Sequence, residues 1–285
     1  MEMDKDRRKV LGMAVGFAAA GGLAAAGVLG SGAYRIAEAS EKPVVGKRPK
    51  VKLDSKGKVY HEPLPYVALD SAEAVELAYS NKLIGDCFYG VFATVVEMLA
   101  DKVGGPYLTY PISVTRVGAG GIVGWGSTCG CLQGAAMAIY LVSPDPTPII
   151  DEVFNYYQYS PLPDIKIKRA KMEIVPSIAE STLCHISISH WTKASGAKAF
   201  SKERTEGCAH VAACVTNRTV SALNAQLAGK FKADFTIPAA VASCRACHDI
   251  GGSMENTRGK MNCLTCHSGH DEIKPNIYEK PAVKL

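Results

Sequence analysis

Large aromatic side chains are scarce in this 285-residue chain, which has seven Phe and two Trp beside twelve Tyr. Charge of one sign is also scarce: 32 Lys and Arg against 27 Asp and Glu leave a formal charge of +5. Proteins that grip nucleic acid concentrate a basic face and offer stacking platforms, so no nucleic-acid partner is expected. No long repeat runs through the chain, and no cysteine run has compact ferredoxin spacing. The 47% hydrophobic and 21% charged residues exclude wholesale disorder, and the length suits one or two domains.

What is abundant is cysteine, with ten residues. Their chemistry depends on the compartment, because thiols persist in a reducing cytosol and pair or bind cofactors after export. The first residues bear on this. Arg7-Arg8 opens an apolar, Gly- and Ala-rich run from Val10 to Ala33, followed by Ala37-Glu38-Ala39 before Ser40. Paired arginines, an apolar stretch and a small-residue cleavage spacing together read as a twin-arginine export signal over residues 1–39, with a periplasmic destination. The competing reading is a retained membrane anchor, since the run is long enough to span a bilayer. Two positions depart from the usual signal pattern, Val10 and Gly12. The twin-arginine route carries folded proteins, which hints at a cofactor inserted before export.

The pattern over 40–233 predicts a helical domain after a Lys-, Pro- and Gly-rich lead-in over 40–60. Asp70 and Glu73 form a capping box for a helix to about Asn81. Asp86 is placed to cap a second helix, with Phe88, Val91, Phe92, Val95, Met98 and Leu99 at helical spacing and Gly104-Gly105-Pro106 as its stop. A Gly-rich tight loop is expected over 116–126, then a third helix from about Thr128 to Leu141. Prolines at 144, 146, 148, 161 and 163 are read as breaks around a short aromatic stretch, Phe154 to Tyr159. A long helix is expected from Ser201 to Gly229. The class is mainly α, with an irregular, loop-rich segment over 234–285.

That last segment holds Cys244-Arg245-Ala246-Cys247-His248 and Cys263-Leu264-Thr265-Cys266-His267. In C-x-x-C-H the two thiols add across the two vinyl groups of one porphyrin, and the next residue presents its imidazole to the iron. The covalent links let a short segment hold a large cofactor. The same four cysteines also have zinc-ribbon spacing, and they could pair as disulfides. A histidine directly after both pairs, in an exported chain, favours haem. Two haem c groups per chain are therefore expected, attached at Cys244, Cys247, Cys263 and Cys266, with His248 and His267 as proximal ligands. The candidates for the opposite axial position are His185, His270, His61, His190 and His210, with Met254 and Met261 also near in sequence. Two histidine ligands suit electron transfer, whereas an open position would suit a small haem-dependent reductase. Six cysteines remain: Cys87, Cys129, Cys131, Cys184, Cys208 and Cys214. Cys87 and Cys129 are expected in first helical turns, where thiolate is stabilised. From the residues alone they are iron ligands converging from separate helices, disulfides or buried thiols.

The two C-x-x-C-H motifs, the Asn256-Thr257-Arg258-Gly259-Lys260-Met261 run between them and the scattered upstream cysteines resemble the split-Soret cytochrome c family. The upstream part is similar to the broader C_GCAxxG_C_C redox family, through Gly85-Asp86-Cys87-Phe88-Tyr89-Gly90, Thr128-Cys129-Gly130-Cys131-Leu132-Gln133-Gly134-Ala135, Leu183-Cys184-His185 and Glu206-Gly207-Cys208-Ala209. The resemblance spans roughly residues 60 to 270. It implies a homodimer with two closely stacked haems per chain near the subunit interface, two-histidine ligation shared between subunits, and an iron–sulfur cluster of the 2Fe–2S kind. The resemblance carries the cluster ligands onto Cys87, Cys129, Cys184 and Cys208. Cys131 stands where the family usually has Ala, which makes it a rival to Cys129. The expected role is electron carriage to an unnamed redox partner, with no catalytic residue.

Overall fold

The computed structural model describes residues 62–267. The export signal, the lead-in to position 61 and the tail after 267 lie outside the described residues, and with them His61 and His270. Among the described residues there are no strands, only two isolated bridges. Among the described residues six α-helices carry the fold: α1 (Ser71–Val103), α2 (Gly130–Val142), α3 (Pro146–Tyr159), α4 (Cys184–Ser195), α5 (Lys202–Leu227) and α6 (Ala239–His248). Short 3-10 turns lie at Gly105–Tyr107, Ile112–Gly118 and Cys263–Thr265.

Helix α1 starts where the capping box places it, with the Asp70 side chain accepting from the Glu73 N–H at 2.9 Å. It is continuous to Val103 except at Gly85 and Asp86, whose backbones are not helical, so the break expected between two helices is a kink. Asp86 is not an ordinary extended N-cap, because it has φ 69° and ψ −172°. A non-glycine residue held there stores about 1–3 kcal/mol of strain. Packing outweighs that strain: Val91, Phe92, Val95 and Leu99 are completely buried just beyond the kink, each contributing about 1.5–3 kcal/mol. By length and composition α1 could cross a membrane, but most of its apolar stretch is buried inside this fold, so it is the core helix.

The most extensive packing is between α1 and α5. Helix α5 opens at Ser201, which accepts from the Arg204 N–H at 3.1 Å, and ends at Leu227, close to the expected span. Gly207, Ala209, Ala212 and Ala213 are buried on it, and small side chains let two helices approach closely. Helices α2 and α3 complete the core with Leu132, Ile139, Ile149, Val153 and Tyr157.

One expectation needs correction, and two helices add detail to the rest. The prolines around 146–148 do not break the chain; Pro146 opens α3, whose first turn needs no backbone donor, and Phe154 to Tyr159 is its final stretch. Residues 184–195 form helix α4, ended by Gly196 in the left-handed conformation. The loop-rich segment from 234 also holds one helix, α6, whose end carries the first C-x-x-C-H motif.

Candidate functional site

Four helices bring the upstream cysteines together. Cys87 follows the kink in α1, Cys129 is the N-cap of α2, Cys184 is the first residue of α4, and Cys208 lies in the second turn of α5. The first three stand at positive helix ends, which favour thiolate. An isolated backbone bridge sets the starts of α2 and α4 side by side: Cys129 N–H bonds the Thr182 carbonyl and Cys184 N–H bonds the Ser127 carbonyl, both at 2.8 Å. Glycine sets the approach of α2 to α1. A Cβ on Gly130 would lie 2.1 Å from the Gly118 carbonyl oxygen and 2.8 Å from Cys87 Cβ.

Cys131 joins this group. Its thiol lies against those of Cys87 and Cys129, and the Cys208 thiol lies against that of Cys87. The Cys131 and Cys208 thiols beside Cys87, reinforced by Lys82 and Arg204, hold the Cys87 thiol well below its ordinary range. The neighbouring Cys131 thiol likewise lowers Cys129. Cys131 itself is pushed up by bonding to both and by burial. Burial, with the charges of Cys129 and Cys87, pushes Cys184 up to about 12. All five thiols are free, and four are buried. Among the described residues, no three His, Cys, Asp or Glu side chains are already arranged to hold a metal ion, so this is a group of packed free thiols. Cys214 stands apart, fully buried beside Asp164 and Tyr156, and burial raises it to about 12.

Two basic side chains accompany the thiols, and the sequence reading missed both. Lys82 and Arg204 are 5% and 7% exposed. Lys82 Nζ donates to the Thr205 carbonyl at 3.0 Å, which puts its charge on the turn of α5 that leads to Cys208. Arg204 stacks over Trp191, and its buried Nε has no acceptor among the described residues. Buried cations need nearby negative charge. Here Cys87 and Cys129, the two thiols held low, supply it, so the donor set suits an anionic metal–thiolate group. The available signal for Lys82 is its position four residues after Ala78 on the buried face of α1; for Arg204 it is the four-residue spacing to Cys208.

The C-terminal segment docks on the same body. Glu152 of α3 accepts the N–H groups of Asp234 and Phe235, both at 2.5 Å, and Lys260 Nζ meets Asp151 at 2.6 Å. Thr182, two residues before Cys184, donates to Met261 Sδ at 2.6 Å, and Thr265 donates to the Glu180 carbonyl at 3.1 Å. The two C-x-x-C-H motifs are neighbours: α6 packs on the 3-10 turn at Cys263, and the Cys263 thiol lies against that of Cys244. Cys247 and Cys266 are exposed. Free, accessible thiol pairs each followed by an imidazole fit covalent haem. Ile250, Met254 and Leu264 also expose apolar surface beside the motifs, which suits a porphyrin face.

The axial candidates scatter. His185 is exposed at the start of α4, three residues after Thr182. His190 is half-buried and meets the Ile178 carbonyl at 3.1 Å. His210 lies inside the body, edge-on to Tyr79 and 3.7 Å from Glu206, rather than beside either motif.

Residues 91–222 match the family described as "Putative redox-active protein (C_GCAxxG_C_C)", a span that takes in Cys129, Cys131, Cys184 and Cys208. The chain is 33% identical over 213 residues to the split-Soret cytochrome c of Desulfovibrio desulfuricans, covering 70% of this chain and 76% of that relative. The chain belongs to the split-Soret cytochrome c family. A solved structure, described as a novel iron centre in the split-Soret cytochrome c from that organism, superposes with a TM-score of 0.68 at 30% identity. The superposition covers 76% of this chain and 95% of that one. As a family member the chain is a haem-c electron-transfer protein of mainly helical fold.

Proposed function

We propose that this chain is a periplasmic dihaem c-type cytochrome with an additional iron–sulfur centre, and that it carries electrons as a homodimer. The observation that carries the proposal is the pair of C-x-x-C-H motifs held side by side on one docked segment, with Cys263 against Cys244. In this reading Cys244, Cys247, Cys263 and Cys266 attach two haems, and His248 and His267 are their proximal ligands. Bound haem supplies a reversible one-electron Fe(III)/Fe(II) couple. The chain's part is to fix the haems against each other and against the body through Thr182, Asp151 and Glu180. Close spacing of the motifs supports the stacked haems that the family resemblance implies.

The relative's iron centre supports a second redox group here. Cys87, Cys129, Cys184 and Cys208 are its ligands in this reading, with Cys131 as a fifth thiol that lies against Cys87 and Cys129. Lys82 and Arg204 offset its negative charge. The stretch 180–184 links the two centres, since it ends at Cys184 and grips Met261, just before the second motif, and Thr265 within it. His185, in the same region, is the favoured distal ligand among the described histidines, and dimerisation would bring it to a partner's haem. The N-terminal twin-arginine pattern supports export of a chain that already holds its cluster.

Anaerobic optical and EPR spectra, taken with haem, iron and sulfide counts, test this reading. It expects two low-spin haems that do not respond to carbon monoxide, plus acid-labile sulfide. A high-spin haem that binds carbon monoxide would favour the reductase reading. Iron equal to haem, without sulfide, would remove the cluster.

A further inference from the structure

The chain after α6 folds back onto the last residue of that helix. Asp249 N–H bonds the Arg245 carbonyl at 3.0 Å, and Arg245 pairs with the Asp249 carboxylate. The loop turns at Gly251 and Gly252, and its return leg runs along the helix end. Met254 N–H bonds the Cys247 carbonyl at 2.8 Å, and the N–H groups of Asn256 and Thr257 both bond the His248 carbonyl at 3.0 Å. These bonds fix the backbone of Asn256 against that of His248. They leave the Asn256 side-chain carbonyl Oδ1 2.8 Å from His248 Nδ1.

A carboxamide oxygen can only accept, so Nδ1 carries the proton and donates it. The lone pair of the neutral ring is then on Nε2, the nitrogen that points away from its own backbone. An imidazole that donates from one nitrogen is a stronger base at the other, and the partner fixes both tautomer and ring rotation. A stronger donor favours the ferric over the ferrous state and lowers the reduction potential of its iron.

We infer that Asn256 is a positioning residue for the first haem: it holds His248 in the Nδ1–H tautomer at a fixed rotation and lowers the potential of that haem relative to the same site without it. The inference rests on His248 being the proximal ligand, as proposed above. It gives a role to the first residue of the Asn256–Met261 run, whose last two residues dock the segment on Asp151 and Thr182.

The experiment is EPR-monitored potentiometry of the full-length holoprotein as wild type, Asn256→Leu and Asn256→Asp, after intact mass has established that each carries its haems. Asn256→Leu removes the acceptor, so the first haem should titrate at higher potential and its low-spin signal should broaden as the ring gains rotational freedom. Asn256→Asp keeps an acceptor of greater strength, so the same haem should titrate lower. The second haem should hold its potential in both. Unmoved potentials, equal shifts at both haems, or shifts of the same sign in the two variants would overturn the inference, since a purely structural asparagine predicts no opposed effect on one haem. A wild-type mass without haem would instead sink the ligand reading beneath it.

Discussion

Replacing Gly130 with alanine tests the packing on which the thiol cluster depends. The added Cβ would stand 2.1 Å from the Gly118 carbonyl oxygen, 2.8 Å from Cys87 Cβ and 2.9 Å from the Phe88 nitrogen. Two of the three obstructions are backbone atoms that cannot rotate away, and the shortest contact falls about 1.4 Å inside ordinary contact distance. Helix propensity favours alanine by at most about 1 kcal/mol. Overpacking costs about 1–3 kcal/mol, and more where rigid backbone obstructs. Helix α2 must therefore back away from α1, which loosens Leu132, Ala135 and Ile139 and separates Cys131 from Cys87. A net loss of about 2 kcal/mol corresponds to a fall in Tm of about 4–8 °C for a chain of this size. Thermal or urea unfolding followed by circular dichroism reads the stability, and iron and sulfide counts read the cluster. A Gly130→Ala protein with unchanged Tm and full iron and sulfide would refute the reasoning.

The remaining predictions concern thiols and pH. Cys184→Ser should lose iron and sulfide and keep both haems, whereas Cys131→Ala and Cys214→Ser should retain the cluster; loss of iron from Cys131→Ala with retention in Cys129→Ala would exchange their roles. Burial holds the His210 imidazole below its ordinary value despite the pull of Glu206, so the folded chain binds that proton less readily than the unfolded chain. The contribution of His210 to stability is complete above the unfolded value of about 6.5 and is lost as pH falls from there through the lower folded value. Urea midpoints should decline over that window in wild type and less in His210→Gln; parallel declines would mean that His210 carries none of the effect.

Much of the scaffold was legible because its signals are local. Asp70 and Ser201 cap α1 and α5 as their side chains advertise, and the apolar spacing from Phe88 to Leu99 marks a buried helix face. Gly85 and Asp86 mark a real break, although it kinks one helix and Asp86 takes a left-handed conformation. Helix α3 was hidden because proline reads as a breaker unless its place in the first turn is known. Helix α4 was hidden because Leu183, without a capping oxygen, precedes it. At the site, the cysteines announced themselves, but the convergence of Cys131 with Cys87 and the arrival of Lys82 and Arg204 depend on how α1, α2 and α5 pack. His210 shows the same limit from the other side: as a lone histidine it was a haem-ligand candidate, and its burial against Tyr79 and Glu206 follows from α5 lying on α1.

The central claim is that Cys244, Cys247, Cys263 and Cys266 hold two haems by thioether bonds. Intact mass under denaturing conditions, on chain purified from a host that matures c-type cytochromes, tests it most directly. The account predicts the polypeptide plus two haems, falling to one haem when Cys263 and Cys266 are both replaced by alanine. A colourless chain at bare polypeptide mass, with zinc on those four thiols or disulfides between them, would contradict it.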